Sequence, residues 1–253
     1  MIIGLNARFL DEPHTGRGQF VRHLCRALLS AAPEHRFCLY VRPQCPIPDF
    51  PGDNWRMIRI PLSDGDMFDR HFTETAEFSD ACPDLLHITH LRMPEKALKI
   101  PVVLTIHDII PVSFMSIRNI ICGRTPLRAL STMGIVSRFT DPAQIHRATV
   151  VNTISGLSAR DLGHFYHCQA TVIPNGLDPA FREPVSPAAI REARIRHGLA
   201  GDYCINFGGL AFRKNLLRQV RAFSRLRTRY PELRFVIAGT GFWHRKLAGK
   251  KIP

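Results

Sequence analysis

Tyr203-Cys-Ile-Asn-Phe-Gly-Gly-Leu-Ala-Phe-Arg-Lys-Asn215 is the stretch that decides how the chain is read. An apolar, β-prone run breaks at Gly208-Gly209, Arg213 and Lys214 follow, and Leu216, Leu217, Val220, Phe223 and Leu226 then recur at helical spacing. The pattern predicts strand, glycine turn, helix. A turn of this kind aims unpaired N–H groups and a positive helix dipole at one point, and glycines let an anion approach closely, so phosphate is the guest it suits. Lys214 and Arg213 would add mobile countercharge. Many α/β domains use the same turn only to change direction, so the rest of the chain has to decide.

Working outward, Arg234-Phe-Val-Ile-Ala-Gly-Thr-Gly241 predicts a second strand ending in glycines, and a basic helix runs from Pro187 to His197-Gly198. Further back, Thr171-Val-Ile-Pro-Asn-Gly-Leu-Asp-Pro179 reads as a short strand entering a turn at which the architecture changes. At the start of the chain, Met1 to Phe9 is an apolar strand carrying polar Asn6 and Arg8. A glycine loop through Gly16 and Gly18 follows, then a helical stripe of Phe20, Val21, Leu24, Leu28 and Leu29. The loop lacks the third glycine of the dinucleotide fingerprint, where Val21 stands, so a nicotinamide site is rejected. Further strands are expected over 37–41, 55–60, 85–88, 100–106 and 149–154, with a helix over 66–79 and another capped by Ser155.

Ile100-Pro-Val-Val-Leu-Thr-Ile106 is a β-branched run of the kind parallel sheets bury on both faces, and it ends in His107-Asp108. Ligands of open α/β sheets sit beyond the carboxyl ends of strands, so His107 and Asp108 stand where a site would be; a satisfied structural histidine is the competing reading. Residues 112–145 mix apolar residues with Arg118, Arg124, Arg128 and Arg138, which suits core helices, helices over a groove, or a segment touching lipid. Two runs of alternating strands and helices imply an α/β protein with two doubly wound domains, 1–180 and 185–253. The second has too few strands to cover its sheet and is expected to be the less stable.

The formal net charge of +13 is lopsided: residues 1–170 hold 18 Lys and Arg against 16 Asp and Glu, and residues 171–253 hold 16 against 5. Such a surplus attracts nucleotide phosphates, anionic lipid or nucleic acid. Arg218, Arg221, Arg225 and Arg229 line one helix face, which is an ordinary solvated face unless an anion covers it. No aromatic RNA-binding signature or zinc-finger spacing accompanies the charge, so nucleic acid is not expected as a partner. Seven cysteines without a C-x-x-C pair argue against a disulfide framework and a zinc site. With no apolar run of membrane-spanning length, the expected location is cytoplasmic, peripheral at the inner face of the membrane.

Six segments in order resemble one family, the retaining GT-B fold glycosyltransferases usually called family 4, which includes bacterial mannosyltransferases and sucrose synthase-like enzymes. They are Thr15-Gly-Arg-Gly18 before a helix, Thr105-Ile-His-Asp-Ile-Ile-Pro111, Asn152-Thr-Ile-Ser-Gly-Leu-Ser-Ala-Arg-Asp161, Val172-Ile-Pro-Asn-Gly-Leu-Asp178, Phe207-Gly-Gly-Leu-Ala-Phe-Arg-Lys-Asn215 and Phe235-Val-Ile-Ala-Gly239. The resemblance implies two Rossmann-like domains. It also implies a UDP- or GDP-linked sugar donor, a saccharide or lipid-linked acceptor, and transfer of a hexose with retention in cell-envelope polysaccharide synthesis. It implies that Gly208 and Gly209, with Asn215, lie by the donor diphosphate and that Lys214, helped by Arg213, neutralises the leaving phosphate. On the same reading His107 faces the transferred sugar, Asp108 supports it, and Gly16 and Gly18 form the loop approaching donor and acceptor. Neither metal nor other cofactor is implied, and an anionic membrane surface is a further partner.

Two departures stand out: Leu210 replaces the arginine many relatives carry after the double glycine, and the family's paired-glutamate motif is absent. The chain is therefore expected to be C-terminally truncated. An inactive remnant serving only as a binding or interaction domain is the alternative.

Overall fold

Residues Arg36–Val41 show how the main sheet is buried: Cys38 and Tyr40 enter one apolar core and Phe37, Leu39 and Val41 the other. Side chains alternate across a strand, so a continuous apolar run can be buried only when both faces are covered. The computed structural model describes residues 1–114, 142–207 and 214–238. The chain forms two compact units, Met1–Asp178 and Pro179–Pro253.

In the first unit the strands are β1 (Ile2–Asn6), β2 (Arg36–Val41), β3 (Trp55–Arg59), β4 (Leu85–Ile88), β5 (Val102–Ile106), β6 (Val150–Thr153) and β7 (Thr171–Val172). They make one sheet in the order β3-β2-β1-β4-β5-β6-β7, every pair parallel. The direction of strand succession reverses between β1 and β4, which in doubly wound sheets opens a crevice beyond the strands' carboxyl ends. Helix α1 (Gly16–Ala31) buries Val21, Cys25 and Leu29, spaced four apart, in the core on the Phe37 side. Its N-cap is Thr15, whose hydroxyl accepts the Gly18 amide at 3.0 Å.

Two expected elements depart from their periodicity, one by ending early and one by interruption. The first strand stops at Asn6, because Ala7 leaves the extended region and Arg8–Asp11 wind into a 3-10 turn. The helix expected over 66–79 is α2 (Gly65–His71), a 3-10 turn and α3 (Ala76–Ala81). Thr75 breaks it: its backbone is extended and its hydroxyl caps a fresh helix by accepting the Phe78 amide. Beyond β5 lie α4 (Ile110–Phe114) and, after β6, α5 (Gly156–Tyr166), whose Ser155 cap accepts the Ser158 amide at 3.1 Å.

The second unit contains α6 (Pro187–Arg196), β8 (Tyr203–Phe207), α7 (Leu216–Arg227) and β9 (Arg234–Ala238). Strands β8 and β9 pair in parallel and, among the described residues, make a two-stranded sheet. Phe223 of α7 meets Phe235 of β9 with ring centroids 5.2 Å apart, while Phe207 is 70% exposed and Ile205 and Ile237 are exposed with it. Gly208, Gly209, Leu210 and Arg213 lie outside the described residues, as does most of the mixed apolar and arginine segment, 115–141. The six described cysteines are free, and burial pushes the Cys25 thiol up to about 12. Among the described residues no helix is long and apolar enough to cross a membrane.

Candidate functional site

The polar residues of the first unit converge where β1, β4 and β5 end. Asn6 closes β1, Thr89 and His90 follow β4, and His107 follows β5. Two of these, Asn6 and His90, join buried Asp69 of α2, and Arg8 of the following 3-10 turn joins it too. Both Asp69 carboxylate oxygens accept Arg8 Nε at 2.8 Å, Oδ2 accepts His90 Nε2 at 2.8 Å, and Oδ1 accepts Asn6 Nδ2 at 3.3 Å. Burial pushes the Asp69 carboxyl up, but the hydrogen bond and charge of His90, joined by Arg8, outweigh it and hold the group below its usual value. Above this cluster Phe9 meets His90 edge to face at 4.9 Å, and the guanidinium groups of Arg8 and exposed Arg17 lie 3.9 and 4.3 Å from its ring centre.

His107 is held from three sides. Its Nε2 donates to the Thr89 carbonyl at 3.2 Å, its own carbonyl accepts the Ser158 hydroxyl at 3.0 Å, and Phe20 of α1 stands against its ring at 4.4 Å in a T-shaped contact. A carbonyl can only accept, so the ring proton sits on Nε2 and Nδ1 carries the lone pair, able to accept from a donor. Burial pushes this imidazole down, against the Thr89 hydrogen bond and the Asp108 charge, which favours the neutral ring. Asp108 accepts the Ile110 amide at 3.1 Å, closing the turn into α4.

The two loop glycines occupy different settings. A Cβ on Gly16 would meet nothing within 4 Å, whereas one on Gly18 would lie 2.0 Å from the Glu12 carbonyl oxygen and 2.9 Å from that of Phe9. Gly18 is thus accounted for by the close approach of α1 to the 3-10 turn. Gly16 opens the helix with space in front of it.

In the second unit Lys214 and Asn215 lead into α7. Asn215 adopts a left-handed backbone, φ 54°, that asparagine tolerates better than most residues. The Lys214 carbonyl accepts Gln219 Nε2 at 2.7 Å, and Gln219 Oε1 accepts Asn206 Nδ2 of β8 at 2.7 Å. A brace from strand to helix therefore sets the backbone that carries the lysine.

Sequence reasoning singled out His107, Asp108, Gly16, Gly18, Lys214 and Asn215 and passed over Asp69, Thr89, His90, Asn206 and Gln219. The rule that selected His107, a polar residue just past a buried strand, also selects Thr89 and His90. A depression of about 610 Å³ lined by Arg36, Cys38, Asn54, Trp55 and Arg56 lies at the amino ends of β2 and β3, the wrong end for a ligand of a parallel sheet. Among the described residues no group of three or more His, Cys, Asp or Glu side chains gathers as a metal site.

A family model described as Glycosyltransferase Family 4 matches residues 15–181. No curated protein matches the chain in sequence. Among solved structures, the trehalose-6-phosphate synthase OtsA is similar with a TM-score of 0.54 at 11% identity, over 93% of this chain and 64% of that one. HepE of Anabaena, crystallised with UDP and glucose, is similar with a TM-score of 0.48 at 15% identity, over 94% of this chain and 69% of that one. At these identities the likeness is one of fold.

Proposed function

The chain belongs to Glycosyltransferase Family 4, and from that premise we propose that it moves a hexose, mannose- or glucose-like, from a UDP- or GDP-linked donor to a saccharide or lipid-linked acceptor. The anomeric configuration is retained, the nucleoside diphosphate is released, and the acceptor belongs to cell-envelope polysaccharide synthesis. The enzyme works at the cytoplasmic face of an anionic membrane, with the arginine-lined face of α7 as a contributor to that attraction. The family match favours this reading over a binding remnant.

The observation that carries the proposal is His107. It follows β5 within the matched region, burial pushes its imidazole down, and Nδ1 is left to meet a sugar hydroxyl while Nε2 is engaged by Thr89. Lys214, at the entrance of α7, supplies positive charge where the leaving diphosphate becomes more negative, assisted by Arg213. Stabilising charge as it develops is commonly the largest single contribution to such a step, and here the lysine takes the part a metal ion plays elsewhere. Gly208, Gly209 and Asn215 border the diphosphate, Gly16 and Gly18 form the loop that approaches donor and acceptor, and Asp108 keeps the loop after His107 in place.

The test is transfer of radiolabel from UDP-glucose and GDP-mannose to saccharide and lipid-linked acceptors, with wild type, His107→Ala and Lys214→Ala compared. Transfer that both substitutions suppress supports the proposal. Unaltered transfer in both variants refutes the assigned roles, and tight, salt-sensitive DNA binding without nucleotide-sugar binding refutes the function.

A further inference from the structure

The peptide group whose carbonyl engages His107 is gripped on both sides. That carbonyl belongs to the Thr89–His90 peptide, a rigid plane that can turn only if its two residues turn with it. On one side the Thr89 hydroxyl donates to the Asn6 carbonyl at 2.9 Å; on the other the His90 ring donates to Asp69 at 2.8 Å. Asn6 returns to Asp69 through its own side chain at 3.3 Å, which closes a ring of Asn6, Asp69, His90 and Thr89. None of the four is more than 7% exposed. Arg8 holds the carboxylate from outside the ring with both oxygens at 2.8 Å.

We propose that Asp69 is a positioning residue for His107, acting through His90 and the Thr89 carbonyl, so that the ring fixes which nitrogen of His107 carries the proton. The inference rests on the reading of His107 given above. A merely structural role would be that of buried polar groups satisfying one another, and the loss of any member would then lower stability alone. A positioning role predicts in addition that His107 changes tautomer while the fold persists. With the carbonyl turned away, Nε2 loses its acceptor and the proton redistributes to Nδ1, the atom that should accept from the sugar.

The experiment uses the full chain labelled with ¹⁵N at histidine, with the His107 resonances assigned by difference from His107→Gln. Wild type, Asp69→Asn and Thr89→Val are compared by ring ¹⁵N shifts and by circular dichroism. The second substitution removes only the Thr89 hydroxyl, so it carries the test if Asp69→Asn fails to fold. The expected result is Nε2–H in wild type and a change of about tenfold in the tautomer ratio in the variants, the effect of losing one buried hydrogen bond. His107 held as Nε2–H in folded variants overturns the inference. Release of UDP from UDP-glucose, or of GDP from GDP-mannose, is followed in the same samples. A redistributed tautomer with undiminished release leaves the positioning intact and removes His107 from the reaction.

Discussion

Gly18→Ala and Gly16→Ala form a matched pair in which the same chemical change, two residues apart, should be costly for stability at one site and nearly neutral at the other. At Gly18 the added methyl would stand 2.0 Å from the Glu12 carbonyl oxygen, 2.7 Å from its carbon and 2.9 Å from the Phe9 oxygen. All three are main-chain atoms, so no side chain can swing aside. Their turn is also anchored: Arg42 bonds Asp11 at 2.7 and 2.8 Å and Glu12 at 3.1 Å. Alanine gains up to about 1 kcal/mol over glycine in a helix, while overpacking a well-filled site costs about 1 to 3 kcal/mol. With overlap this deep against fixed backbone, a net loss of about 2 kcal/mol is expected. Gly16→Ala meets open space and should stay within about 0.5 kcal/mol of wild type. Urea unfolding followed by circular dichroism measures both, and with a slope of about 2 kcal/mol/M the Gly18→Ala midpoint should fall by about 1 M. Equal midpoints for Gly18→Ala and wild type would refute the packing argument. Gly16→Ala supplies the converse check, since it should slow sugar transfer with the fold intact, and unchanged transfer removes that glycine from the donor loop.

Lys214→Ala should lower turnover about 10²- to 10³-fold with the fold unchanged, the scale of losing one group that stabilises developing negative charge; steady-state kinetics at saturating donor decide it. His87 is half-buried against the Thr105 hydroxyl at 2.8 Å, and desolvation pushes its imidazole from 6.5 down to about 4. The unfolded chain therefore takes up a proton below pH 6.5 that the folded chain refuses. Stability is fully present above pH 6.5 and is lost as pH falls toward 4, by about 3 kcal/mol in all. Urea midpoints of wild type and His87→Gln across pH 7 to 4.5 should diverge accordingly, and parallel curves would sink the assignment. Finally, limited proteolysis should cut within 179–238 before it cuts within 1–178, because β8 and β9 carry exposed apolar side chains; equal protection of the two units would contradict this.

The strands were legible because a parallel sheet buries both faces and so demands continuous apolar runs, which residues 37–41 and 102–106 provide in plain sight. The α/β class followed from their alternation with helical stripes. Helix interruptions were less legible: Thr75 looks like any polar residue in a periodic pattern until its hydroxyl is seen to cap a new helix. The ring around Asp69 was hidden for a different reason. Its members are separated by 21, 63 and 83 positions along the chain, and periodicity reports only what neighbours share. Gly18 shows a third kind of gap, for the carbonyl oxygen 2.0 Å from where a methyl would sit belongs to Glu12, and no local pattern announces that contact. Lys214 is proposed from its glycine context, whereas the brace beneath it through Gln219 and Asn206 needs the fold to be seen.

The position of β1 inside its sheet, between β2 and β4, has a consequence for synthesis on the ribosome. Asn6 pairs with Tyr40 of β2 and with Ile88 of β4, so its second neighbour is translated 82 residues after it. At roughly 5 to 20 residues per second that is a delay of about 4 to 16 s during which the nascent chain has one side of this interior strand unclaimed. Slow codons between Val41 and Leu85 would prolong that exposure, whereas slow codons after Ile106 would fall when the centre of the sheet is already closed.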